Sequence, residues 1–219
     1  MTKLAFSYDF DKDIENFLRG TQAKNSSKPT KLQQAYIEKH GQTYSDETVR
    51  NFIRSYIQES GFNAEETVSR VENGWRPIEQ EYFSRLENIF GIKYSAETIQ
   101  VYITTNGRCT YRIEDGYFFV YANPRASNTP NQVIMHELLH FYTWEAFYKE
   151  LKELGVSDEK YNDMKESLTE LLNIEFADLM AGAHDDGYPQ HAEIRERIKM
   201  LWLSTKDIRR TVLGSLSPL

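Results

Sequence analysis

The sequence predicts an α+β fold that is mostly helical, with a small antiparallel sheet placed before a long helix. Three observations carry that prediction. Apolar residues recur at three-and-four spacing in the first part of the chain, as in Val49, Phe52, Ile53, Tyr56 and Ile57. β-Branched and aromatic residues crowd between Thr98 and Ala122. A strong helix start, Thr129-Pro130-Asn131-Gln132, then opens a long helical pattern.

The elements follow in chain order. Residues 1–30 are polar and end in the loop-forming run Lys24-Asn25-Ser26-Ser27-Lys28-Pro29, so they are expected to be peripheral, with one short helix around Ile14 to Leu18. From Lys31 to about Phe90 several short amphipathic helices are expected, with Asp46 as a cap and Gly41, Gly61, Gly74 and Gly91 as punctuation. Strands follow at Ile99–Thr104, Tyr111–Ile113 and Tyr117–Ala122. Asp115-Gly116 marks the hairpin before the last of them, because glycine takes the positive φ of a tight turn. Beyond the loop Asn123 to Asn128, threonine caps the next helix, which should reach about Leu154 and stop at Gly155. A second long helix is expected from Ser157 or Asp158 to about Met180, before Gly182 and the polar loop Ala183 to Tyr188. A final helix runs from Pro189 to about Leu203. The expected division is a helical region over 1–95 and a metal-binding region over 96–219.

Composition narrows the function classes. The 219 residues carry a formal net charge of -7, which disfavours nucleic acid as a partner, since phosphate backbones are drawn by clustered Lys and Arg. The single cysteine, Cys109, cannot close an internal disulfide, so a reducing, cytoplasmic setting is expected. Met1 to Asp13 offers no apolar run of signal-peptide length, and no stretch approaches the roughly 20 apolar residues of a membrane span.

The chemistry-bearing motif is His136-Glu137-Leu138-Leu139-His140. One helical turn separates the two histidines, so both imidazoles can reach a single zinc ion. Glu137 points about 100° away from His136 around the helix and can bond the metal's water without becoming a ligand, as a general base must. A catalytic zinc takes three protein ligands, and the third must come from elsewhere. The next helix offers Glu166, Glu170 and Asn173 along one face. In one reading this is a solvated acidic stripe. In the other, Glu166 is the third ligand and Glu170 a carboxylate that fixes a histidine tautomer, with the choice between the two glutamates open.

Over about Tyr117 to Asp178 the sequence resembles the gluzincins, the thermolysin-like branch of the zincin metallopeptidases. The resemblance rests on HELLH followed by a glutamate on the next long helix with an acidic residue four positions later. Lys165 stands where that family usually has asparagine, and the Lys-Glu-Ser-Leu-Thr run also looks like that of small bacterial HExxH proteins. The resemblance implies a zincin-like fold and a zinc hydrolase that cleaves peptide-like amide bonds in a peptide or protein substrate. It also implies that the strand Tyr117–Ala122 is a sheet edge able to bind an extended peptide, and that an oxyanion stabiliser lies beyond the third ligand, with His184, Tyr188 and His191 as candidates. The alternative is a non-catalytic zinc-binding regulatory or interaction domain. The presence of Glu137 favours the enzyme, because a structural site needs no base.

Overall fold

A computed structural model describes residues 2–22, 28–123 and 129–216. Most of the loop-forming run at Lys24 and most of the loop before Thr129 therefore lie outside the described residues. The fold is α+β, with a small four-stranded mixed sheet. Contacts divide the chain into two compact units, one of Lys3–Arg76 and Thr98–Pro130, the other of Met1–Thr2, Pro77–Glu97 and Asn131–Leu219.

The sheet-bearing unit holds β1 (Lys3–Tyr8), β2 (Thr98–Thr104), β3 (Tyr111–Arg112) and β4 (Tyr117–Tyr121), in the order β1-β2-β4-β3. The β1–β2 and β2–β4 pairings are parallel, and only β3–β4 is antiparallel. The expected antiparallel sheet is thus corrected to a mixed one. Parallel neighbours need a long crossover, and the helices between β1 and β2 supply it. β4 lies between β2 and β3 rather than at an edge, and its Phe118, Phe119 and Val120 are all buried, as in a strand covered on both faces. The expected hairpin is present, with Gly116 at φ 71.

The amino-terminal segment is not peripheral. β1 pairs along its whole length with β2, and α1 (Phe10–Gln22) places Ile14 and Phe17 in a core shared with α2 (Lys31–His40) and α3 (Asp46–Ser60). That pairing draws β2–β4 into the same unit as the first helices, so the division does not fall at residue 95. Ser45, not Asp46, caps α3, accepting from the Thr48 amide, while Asp46 pairs with Arg50 at 2.6 Å. Gly41, Gly61 and Gly91 stand at positive φ after α2, α3 and α4 (Ala64–Phe90). Gly74 instead lies inside α4, as does Pro77. An interior proline costs about 3 kcal/mol. Val71, Trp75, Tyr82, Phe83, Leu86 and Phe90 are buried along this helix, each contributing about 1.5–3 kcal/mol, so the helix continues.

The second unit is helical. α5 (Pro130–Thr143) runs through a π turn (Trp144–Tyr148) into α6 (Lys149–Glu153), which stops before Gly155 at φ 79. α7 (Asp158–Leu168) begins at the Ser157 cap as expected, but the chain breaks at Thr169 and resumes as α8 (Glu170–Glu175), short of Met180. A 3-10 turn (Pro189–His191) leads into α9 (Ala192–Thr205), and α10 (Ile208–Ser215) is a further helix that the sequence reading missed. Its Asp207 cap accepts from the Arg210 amide. The carboxyl-terminal half of α4 is built into this core: Tyr82 donates to the Met135 carbonyl at 2.5 Å, and Phe83 and Phe90 pack on Tyr142. Among the described residues, no helix is long and apolar enough to cross a membrane.

Candidate metal centre

α5 carries His136 and His140 one turn apart, with ring centroids 4.5 Å apart. Their depths differ, for His140 is 1% exposed while His136 is half-buried. α7 brings Glu166 against both. Glu166 Oε2 lies 3.6 Å from His136 Nε2, and Oε1 lies 3.4 Å from His140 Nε2. One ligand atom from each of the three residues falls within 4.8 Å of the others.

Distance and chemistry both bear on whether this donor set suits zinc. Bonds of about 2.0–2.2 Å to a tetrahedral ion put its ligand atoms about 3.3–3.6 Å apart. The two imidazole-to-carboxylate separations are of that order, one to each Glu166 oxygen, and two nitrogens with one carboxylate are a donor set that catalytic zinc takes. The three residues could hold a metal ion.

Proton affinities describe the electrostatics of the cluster. Burial disfavours a charged His136, but the Asp185 and Glu166 carboxylates outweigh it and raise its pKa to about 10. Burial, aided by the Lys165 charge, lowers His140 to about 3, so that ring stays neutral with a lone pair to offer. Burial alone would raise Glu166, yet the charges of His136 and Lys165 hold it well below the usual carboxylate range. The spot that favours a proton at His136 is one of negative potential, where a divalent cation is also favoured.

Glu137, between the two histidines in sequence, is 6% exposed and its Oε2 has no hydrogen-bond partner. Burial raises its pKa to about 7, with the Glu166 charge adding to the shift and His136 opposing it. An unsatisfied buried carboxylate oxygen is costly, and such groups concentrate where chemistry uses them.

The carboxylate that orients a histidine is Asp185, not Glu170. His136 Nδ1 lies 2.7 Å from Asp185 Oδ2, which fixes the tautomer and leaves Nε2 facing Glu166. Asp185 is itself clamped. Its amide donates to Asn173 Oδ1 and its carbonyl accepts from Asn173 Nδ2, both at 2.9 Å. Thr169 Oγ1 and Arg195 Nη1 lie 2.9 and 3.0 Å from its Oδ1. Glu170 turns to Arg195, 2.7 Å away. Glu170 thus reaches His136 only through Arg195 and Asp185.

The three expected oxyanion candidates are engaged elsewhere. His184 is exposed, with its ring 3.1 Å from Asp186, and only its carbonyl reaches α5, accepting from Gln132 at 2.7 Å. Tyr188 is exposed and its ring rests on His191, whose Nε2 lies 3.1 Å from Asp163. In the loop, Asp185 turns inward and its two neighbours turn out, a choice made by the Asn173 clamp. Arg195 did leave a signal in the sequence: it shares the buried stripe of α9 with Ile198 and Trp202, where a charge needs a partner. No protein-family model, no curated protein and no solved structure matches this chain.

Proposed function

We propose that this chain is a zinc-dependent hydrolase that cleaves peptide-like amide bonds, with His136, His140 and Glu166 as metal ligands and Glu137 as general base. The observation that carries the reading is the approach of the Glu166 carboxylate to both histidines, one oxygen toward each. Bound zinc would supply Lewis acidity, polarising a carbonyl and acidifying water. The chain's own groups do the rest. Asp185 holds the Nδ1 proton of His136 and so keeps the Nε2 lone pair on the metal side. His140, neutral and buried, offers Nε2 from the other direction. Glu137, whose Oε2 is free of hydrogen bonds, takes the proton of the attacking water on that atom and returns it to the leaving amine. Its pKa near 7 suits both halves of that transfer.

The first test is metal content. Titrated with zinc, the protein is expected to bind about one ion per chain, and His136→Ala or His140→Ala to abolish that binding. Undiminished zinc in both variants would contradict the site.

A further inference from the structure

Lys165 lies on α7 directly before Glu166, is 1% exposed, and donates from Nζ to Glu166 Oε1 at 2.8 Å. Lysine is seldom buried so completely, because its ammonium loses hydration and its long stem loses rotamer freedom. The oxygen it holds is the one 3.4 Å from His140 Nε2. An ammonium and a divalent cation at this carboxylate would be neighbours of like sign in a site largely closed to water, where repulsion is poorly screened. The Lys165 charge also bears on His140 and Glu137, disfavouring positive charge at the first and favouring the ionised form of the second.

We infer that Lys165 is a built-in counter-charge that weakens divalent-cation binding at His136, His140 and Glu166, so that zinc occupancy follows the free zinc concentration instead of being permanent. The inference rests on the zinc reading above. Two consequences of the ion pair oppose each other. The ammonium orders Glu166, which would help a ligand, and it lowers the electron density available at that carboxylate while repelling the ion, which would hinder one. The inference is that the repulsion prevails, and the sign of the change on removing the charge decides it. A purely structural lysine would have the opposite signature, since its loss would loosen Glu166 and weaken binding.

The test is a zinc titration of the full chain against a competing fluorescent chelator at fixed pH, on wild type, Lys165→Met, Lys165→Gln and Lys165→Arg, with circular dichroism to verify the fold. Lys165→Met and Lys165→Gln are expected to bind zinc about tenfold more tightly or better, while Lys165→Arg, which keeps the charge, stays within about threefold of wild type. Zinc bound by the neutral variants but not by wild type at any concentration overturns the zinc reading of the native chain and the inference with it. If wild type binds zinc and the neutral variants bind it equally or more weakly, the counter-charge is overturned and the zinc site stands. If no form binds zinc, both fall. Should Lys165→Met not fold, Lys165→Gln, with its polar head, carries the comparison; loss of the fold in both makes Lys165 a structural group and overturns the inference.

Discussion

Asp13 and Glu137 are both carboxylates withdrawn from solvent, at 0% and 6% exposure, but their surroundings differ in kind. Asp13, in the sheet-bearing unit, has both oxygens satisfied. Oδ1 accepts from Thr104 Oγ1 and the Thr105 amide at 2.6 and 2.9 Å, and Oδ2 from Thr105 Oγ1 and Tyr8 Oη at 2.7 and 3.1 Å. It ties the start of α1 to the end of β2. Glu137, in the helical unit, keeps Oε2 without a partner. Burial alone therefore does not mark a working carboxylate. A satisfied one staples the fold, whereas an unsatisfied one is a candidate for chemistry.

The contrast can be broken by substitution. The largest expected effect is on turnover: Glu137→Gln should lower hydrolysis of a peptide substrate by about 10²–10⁴-fold while zinc content stays near that of wild type. Wild-type turnover in that variant would strip Glu137 of its role as base. Asp13→Ala should do the reverse, costing about 2–5 kcal/mol of stability in urea denaturation, because three buried donors and the half-buried Tyr8 hydroxyl lose their acceptor. Its zinc affinity should be unchanged.

A pH series sharpens the comparison further. The folded pKa of Glu137, about 7, lies above the ordinary 4.5, so the fold favours its proton. That stability is full below the ordinary value and is lost as pH rises through 7. Metal-free Glu137→Gln, which cannot ionise, should therefore melt higher than metal-free wild type above pH 7 and approach it toward pH 5. A constant difference across that range would show that the burial of Glu137 is not what shifts it. The smallest of these effects is expected at the orienting carboxylate, where Asp185→Asn should weaken zinc binding about 10- to 100-fold. Affinity unchanged in a zinc titration would reduce Asp185 to a loop clamp.

How much of this was legible in the sequence depended on the range of the interactions involved. His136, Glu137 and His140 could be placed because helical periodicity alone sets their relative directions. The helix starts at Thr129-Pro130 and Ser157 were legible for the same reason, as local signals. Glu166 could be nominated but not separated from Glu170, because the pairing of Glu170 with Arg195 is a tertiary contact that local spacing does not encode. Asp185 could not be found, since His184, Asp185 and Asp186 look alike in sequence and only the Asn173 clamp decides which one turns inward. β1 was missed because Leu4 to Tyr8 shows no clean alternation and its partner β2 lies far along the chain. α4 was cut short in the reading by Gly74, whose helix cost of about 1 kcal/mol is small beside the burial of Trp75 and Tyr82.

A zinc titration of Glu166→Ala and Glu170→Ala beside wild type tests most directly which acidic residue would complete the proposed metal centre. Glu166 meets both histidines, so its loss should nearly eliminate zinc retention. Glu170 is paired with Arg195, so its loss should leave zinc bound, with affinity lowered only as far as Arg195 and Asp185 shift. A greater loss in Glu170→Ala than in Glu166→Ala, or full retention in both, would contradict the site described here.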